Sequence, residues 1–328
     1  MSRTSPHDPW TGPIVDAHQH FWEPAVNPHP WLMPEARIPF RYGDYSAIKR
    51  RYLPDDYRGD AAGRPIVQTV YVETEWDPAD PIGETRYATS VASRFGLPNA
   101  IVAQAWLNAP DAIEILARQA SYPLVRSVRH KPGGPVRRAD LGSSLTLMSD
   151  PLWRRGFAEL ARLGLHFDLQ TPWWNFGEAA ALARDFPETT IILNHAGLPA
   201  DRDAGSLAAW RTAMTMLAEC PNVCVKVSGI GVPGARWTPD LQGGIVLAAI
   251  EIFGAERAMF ASNFPVDSLC ATLSEIVDGM TTITAGLSKA DQAAFFGETA
   301  RRVYRLPAVP AADLASPDKI GAVPRITN

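Results

Sequence analysis

A (β/α)8 TIM barrel is the fold class this sequence predicts, and three observations lead to it. Eight short runs rich in apolar and β-branched residues recur along the chain, and segments of helical period lie between them. Near-continuous apolar strands alternating with helices imply parallel strands buried on both faces. The length of 328 residues suits one large barrel, and no Gly-rich phosphate turn follows any run, which disfavours an open doubly wound sheet.

The strands are expected at Ile14–His20, Ile66–Glu73, Ile101–Leu107, Leu124–Arg129, His166–Gln170, Thr190–His195, Val223–Ser228 and Ala258–Asn263. Helical periodicity appears in Ala112–Ala120, Trp153–Leu163, Glu178–Asp185, Leu207–Ala218 and Ile245–Phe253, each followed by a Gly, Pro or Asn stop. One domain is expected over residues 14–306, with an N-terminal tail at 1–13 and a C-terminal tail at 307–328. That last stretch, rich in Pro, Ala and Asp, is expected to drape over its own surface or an adjacent subunit, so a homo-oligomer stays open.

Two connections are long. A long insertion after strand 1, Phe21 to Pro65, carries Trp22, Trp31, Phe40, Tyr42, Tyr45 and Tyr52 on the face where barrels keep their chemistry, and reads as a lid. The stretch 131–150 after the fourth strand sets Lys131, Arg137 and Arg138 beside Gly133 and Gly134, and reads as an anion-gripping loop.

Composition excludes several function classes. A net charge of −4 without a basic stripe argues against nucleic-acid binding. No apolar stretch is long enough to span a bilayer, and residues 1–13 lack a signal-peptide core, so a cytoplasmic location and no membrane partner are expected. Three cysteines, Cys220, Cys224 and Cys270, do not make a disulfide framework; Cys220, closing a helix-like run, and Cys224, in an apolar strand, read as packing residues. A small-molecule substrate is the partner that remains.

The candidate site comes from strand ends. His18-Gln19-His20 closes the first strand, and the period of two would set Asp16, His18 and His20 on one face as a ready pair of imidazole ligands. The later strands end in Glu73, Arg129 with His130, Gln170, His195, Ser228, and Asn263 followed by Asp267. A barrel converges such residues on one mouth.

The segments Val15-Asp16-Ala17-His18-Gln19-His20-Phe21-Trp22, Val128-Arg129-His130, Phe167-Asp168-Leu169-Gln170, Asn194-His195-Ala196-Gly197, Lys226-Val227-Ser228-Gly229 and Ser262-Asn263-Phe264-Pro265 run in order along the chain. Together they resemble the amidohydrolase superfamily. They are most similar to its TIM-barrel branch of sugar-acid lactonases and pyrone-dicarboxylate lactonases. The resemblance implies opening of a small lactone by activated water, with His18 and His20 as first-strand site residues and His195 as a sixth-strand acid, base or polarising group.

Two departures from that pattern concern the metal. Members that bind one metal commonly add a fifth-strand histidine and an eighth-strand aspartate, where this chain has Gln170 and Asn263. Amides are poor zinc ligands beside imidazole or carboxylate. The expectation is therefore no cofactor, or a weakly bound divalent metal (Zn or Mn) on His18 and His20 with Glu73. Asp267 or His195 would serve as base, with His18, His20 and Asn263 beside them. Arg129, His130, Gln170, Glu73 and Ser228 would bind substrate. A non-oxidative decarboxylase, or a barrel that binds a small molecule without turnover, is the alternative.

Overall fold

The computed structural model describes residues 8–309; the tails expected at 1–13 and 307–328 lie largely outside these. Eight parallel strands follow one another in a single sheet in chain order: β1 Ile14–Gln19, β2 Ile66–Val72, β3 Ala100–Gln104, β4 Val125–Arg129, β5 His166–Leu169, β6 Ile191–Leu193, β7 Val223–Val227 and β8 Ala258–Phe260. Helices pack outside them: α1 Pro54–Ala61, α2 Gly83–Phe95, α3 Ala112–Ala120, α4 Pro151–Arg162, α5 Phe176–Asp185, α6 Ala204–Ala218, α7 Pro239–Phe253 and α8 Leu273–Ile283. Two shorter helices, α9 Lys289–Ala293 and α10 Thr299–Tyr304, end the described chain. The fold is the expected barrel.

The ring closes between β8 and β1. The Asn263 amide donates to the His18 carbonyl (2.8 Å), and the His20 amide donates to the Phe264 carbonyl (2.8 Å). This closure lies at the strands' C-terminal ends. It seats Asn263 against both histidines of the first strand.

Apolar burial explains why the strands hold. One core cluster fills the layer between strands and helices, and a second, including Val15, Val70, Val102, Ile192 and Met259, fills the barrel interior. Ala300, Val303 and Tyr304 of α10 plug the lower end of that interior. Cys220 and Cys224 are free and buried, in keeping with packing.

The first strand corrects one expectation. Asp16 pairs with Thr69 and Gln19 with Tyr71, so three steps on β1 oppose two on β2 and the register slips by one residue. A slip of one residue exchanges the faces of a strand. Asp16 therefore does not share a face with His18 and His20. Its carboxylate accepts hydrogen bonds from the Tyr57 hydroxyl of α1 (2.6 Å) and the Ser262 amide (2.8 Å), which ties the barrel wall to the helical layer.

Halfway down the barrel sits a charge pair with no exposure at all. The Lys226 Nζ donates to Asp168 Oδ1 (2.6 Å), which also accepts from Asn194 Nδ2 (2.9 Å), and the Tyr304 hydroxyl reaches both Asp168 oxygens at 3.0 Å. Four groups satisfy each other where water does not reach. Breaking a buried pair by removing one partner leaves the other charge uncompensated, at a cost of about 3–5 kcal/mol. Lys226→Met is accordingly expected to destabilise the protein by about that amount, read as a large fall in the urea unfolding midpoint; a midpoint within error of the wild type would show that the pair contributes no stability.

Candidate active site

At the C-terminal mouth of the barrel opens a cavity of about 510 Å³. His20, Glu73, Arg129, Gln170, His195 and Asn263 all line it, each at a strand's last residue or one to three residues beyond. Its roof comes from the segment between β1 and β2: Trp22, Trp31, Ile38, Pro39, Phe40 and Arg41. That segment is held rigid by aromatic packing. Trp31 lies edge-on to Trp22 (5.6 Å) and stacks on Phe40 (5.9 Å), while its indole N–H donates to the Thr74 carbonyl (2.7 Å) just past β2.

Beneath the cavity the imidazoles gather. The His18 ring centroid lies 5.0 Å from that of His20 and 4.6 Å from that of His195. His18 is fully buried, and neither of its ring nitrogens has a hydrogen-bond partner. Burial, then the nearby His195 and Lys226, pushes its pKa well below the usual value. Burial does the same to His195, with Arg41 and Arg129 adding to it, and burial with Arg129 takes His20 down to about 3. All three rings are neutral at pH 7.

Hydrogen bonds then decide where one proton sits. His20 Nδ1 is 2.8 Å from the Val72 carbonyl, which can only accept, so the neutral ring carries its proton on Nδ1. Its Nε2 lone pair consequently faces Asn263 Oδ1 at 3.4 Å. The amide is oriented from its other end, because Asn263 Nδ2 donates to Asp267 Oδ1 (2.7 Å). Two acceptors thus face one another across the floor. They suit a donor placed between them, such as a water molecule or a substrate hydroxyl.

Asp267 stands behind this layer and does not line the cavity. It is buried, accepts from Asn263 and from the Tyr42 hydroxyl (3.0 Å), and lies 3.6 Å from the Arg41 guanidinium. Burial raises its pKa, with Arg41 and the two hydrogen bonds pulling the other way. Its geometry is that of a group that orients Asn263.

Backbone strain marks the same residues. His195 and Asn263 have φ of 56° and 58°, in the left-handed region that non-glycine residues seldom occupy. Gly229 supplies the room His195 needs: a Cβ there would stand 2.6 Å from His195 Nδ1 and 2.6 Å from an Arg41 nitrogen. Ser228, expected as a substrate contact, touches His195 instead, its Oγ lying 2.9 Å from Nδ1.

Glu73 and Arg129 form a buried ion pair, and both are largely committed. Arg129 donates to Glu73, to Gln170 Oε1 (2.9 Å) and to Asn194 Oδ1 (3.5 Å), which leaves no bidentate edge open for a substrate carboxylate. Burial raises the Glu73 pKa, but Arg129, Lys131 and the hydrogen bonds outweigh it and hold the carboxyl below its usual range. Its second oxygen accepts from the Glu75 amide (2.8 Å).

Other expectations shift. His130 does not line the cavity: its Nδ1 accepts from the Leu107 amide (3.1 Å) and the Trp153 indole (3.0 Å), which makes it a packing residue between β4 and α4. In the loop after β4, Lys131 does line the cavity, whereas Arg137 pairs with Asp140 at the surface and Arg138 lies over the Trp173 ring. Sequence reasoning passed over Arg41 and Lys226. A lysine inside the apolar run Val223–Val227 was a visible signal, since a lysine is fully buried almost only when paired. Arg41 carried none.

A closed zinc site needs four donors, and a catalytic one commonly three protein ligands drawn from imidazole, thiolate and carboxylate. Here His18 offers unpartnered ring nitrogens, with the His20 and His195 rings beside it, while both nearby carboxylates are engaged, Glu73 by Arg129 and Asp267 by Asn263 and Tyr42. Among the described residues no group of three or more His, Cys, Asp and Glu side chains is arranged to hold a metal ion.

Residues 15–306 match the family model described as amidohydrolase. The protein y4mH of Sinorhizobium fredii is 39% identical over 298 residues, covering 89% of this chain and 98% of its own. An L-fucono-1,5-lactonase of Burkholderia ambifaria is 31% identical over 262 residues, 78% of this chain and 81% of its own. Among solved structures, an amidohydrolase from Burkholderia multivorans with bound Zn superposes with a TM-score of 0.74 at 26% identity, covering 90% of this chain and all of that one.

The depressed imidazoles give a direct test. With a folded pKa near 3, the His20 ring should stay neutral as the pH falls from 7 to 5, when an exposed histidine would have charged. Nitrogen-15 chemical shifts, assigned by comparison with a His20→Gln variant, report this, and a His20 imidazolium at pH 5 would contradict the buried, proton-poor cluster.

Proposed function

This chain belongs to the amidohydrolase family, and from that premise we propose that it hydrolyses a small lactone, adding water across the ring ester to give a hydroxy acid. The observation that carries this reading is the placement of neutral His20 and His195 beside the amide of Asn263, with the cations Arg41, Arg129 and Lys131 in the same wall. The L-fucono-1,5-lactonases among its relatives support the reaction class.

The steps follow from the donors and acceptors. Water donates one hydrogen to Asn263 Oδ1, beside His20 Nε2, and the other to His195 Nε2, which leaves a lone pair to attack the ester carbon. His195 takes the proton. In the tautomer whose Nδ1–H is donated to Ser228 Oγ, the Nε2 lone pair is free for that purpose. The carbonyl becomes an oxyanion in a wall holding Arg129, Lys131 and the Gln170 amide, which stabilise it. The ring C–O bond then breaks, and His195 returns its proton to the departing alkoxide. A strongly depressed pKa suits this relay: the imidazolium is held only while the neighbouring oxyanion exists. The hydroxy acid ionises, releasing one proton per ring opened.

These steps draw on the chain's own residues alone. In this reading Asp267 and Ser228 act as positioning residues for Asn263 and His195.

A pH-indicator screen across sugar lactones, muconolactones and pyrone carboxylates tests the reaction, and release of CO₂ from an aromatic acid in place of proton release would move the assignment to a decarboxylase. Proton transfer by a positioned side chain is worth roughly 10²–10⁴-fold, so His195→Asn is expected to lower kcat by about 10²-fold or more. An unchanged rate would remove His195 from the chemistry.

Dialysis against a chelator should leave activity intact, and Asn263→Asp should raise the affinity for Zn²⁺ or Mn²⁺, since an anionic oxygen compensates the ion's desolvation better than an amide does. Elemental analysis of both forms, paired with activity, decides the matter. Stoichiometric metal in the wild type, with activity lost on chelation, would overturn the metal-independent route.

A further inference from the structure

Beside the catalytic cavity lies a second one of about 430 Å³, and the two share Arg41, Lys131, Val136, Gln170 and Leu198 as walls. The chambers differ sharply in chemistry. The outer one is walled chiefly by Pro135, Pro172, Trp174, Pro199 and Ile230, and the only charged residues lining it are Arg41 and Lys131, both on the shared boundary. Trp174 is fixed there by its indole N–H, which donates to the Pro135 carbonyl (2.8 Å).

A second observation points to an apolar occupant. Val136, which lines both chambers, is 86% exposed, and Ile38 at the rim of the inner chamber is 41% exposed. Both stand among the few large apolar side chains left open to solvent among the described residues. Apolar surface gathered at a cavity mouth marks a binding surface far better than single apolar residues scattered elsewhere. Glycines let this wall pack closely on the residues behind it: a Cβ on Gly231 would meet Cys270 Sγ at 2.8 Å, and one on Gly134 would meet the Thr146 methyl at 2.6 Å.

We propose that the outer chamber is a substrate subsite, and that the lactone this protein opens carries an alkyl or aryl substituent that enters it while the ring ester lies in the inner chamber. The inference rests on the lactone-hydrolase reading and names the substrate class within it. The inner cavity already falls within the usual size of a small-molecule site. A bare ring leaves the outer chamber filled with water against proline, valine and tryptophan, whereas an apolar arm releases that water. Arg41 and Lys131 stand at the crossing point, where they meet the polar ring and not the arm.

The test compares δ-valerolactone with δ-decalactone, which is the same ring bearing a pentyl arm. Extra methylenes in an apolar pocket are each worth roughly tenfold or more in discrimination, so kcat/KM for δ-decalactone is expected to exceed that for δ-valerolactone by at least about tenfold. Ala200→Trp fills the outer chamber from an exposed position, and Val136→Ser removes apolar surface from its wall. Either variant should lower the ratio of the two kcat/KM values by about tenfold.

Equal kcat/KM for the two lactones, a preference for the unarmed ring, or a ratio unmoved by both substitutions would overturn the subsite. Turnover of polyhydroxylated lactones with neither probe opened would also overturn it while leaving the hydrolase reading standing. Inertness toward every lactone would overturn both.

Discussion

The closure of β8 onto β1 is the constraint on which the site depends. Two backbone hydrogen bonds, from Asn263 to His18 and from His20 to Phe264, join the ends of the sheet where the chemistry lies. On its other side β1 slips register against β2 between Asp16 and Gln19, with Asp16 turned outward to Tyr57 and the His18 ring beside His20 and His195. The left-handed backbone of Asn263 follows from the same join, since the chain must leave β8, reach back to β1 and still present an amide to the cavity. A parallel barrel closes its ring with strand bonds in any case. Here the closing bonds also assemble the site.

Desolvation then determines what the assembled groups can do. Three imidazoles under a wall containing Arg41, Arg129 and Lys131 cannot all hold protons, and burial alone already favours the neutral forms. Each cation has an acidic neighbour: Glu73 for Arg129, Glu75 for Lys131 and Asp267 for Arg41. Positive charge is thus fixed in the wall while the lone pairs stay on the rings. That separation suits a reaction in which a proton leaves water and negative charge grows on a carbonyl oxygen.

Much of this was legible in the sequence, and the exceptions have physical causes. Apolar runs such as Ile191–Leu193 and Val223–Val227 announce strands buried on both faces, and the polar residues just beyond them announce the mouth. The face of Asp16 was not legible, because the period-two rule assumes a regular register and a one-residue slip leaves no mark in composition. His130 misled for a related reason: it follows the last residue of β4, yet two N–H donors from Leu107 and Trp153 give its ring a full structural role. Arg41 lies some twenty residues beyond the first strand in a segment without periodicity. Only the aromatic packing of Trp22, Trp31 and Phe40 brings it over the cavity.

The amide at position 263 shows how one side chain sets the character of the whole floor. A carboxylate there would face the lone pair of His20 Nε2 and the carboxylate of Asp267 together, and the repulsion would be relieved by a cation or by a proton between them. Asparagine removes that demand: its Nδ2 donates to Asp267 while its Oδ1 remains an acceptor toward His20. The floor keeps two acceptors without adding a further buried charge, and the nearest anion is turned away from the cavity. Neutral donors such as water and hydroxyl groups are what such a floor recognises, and the fixed cations of the wall then act on the carbonyl oxygen alone.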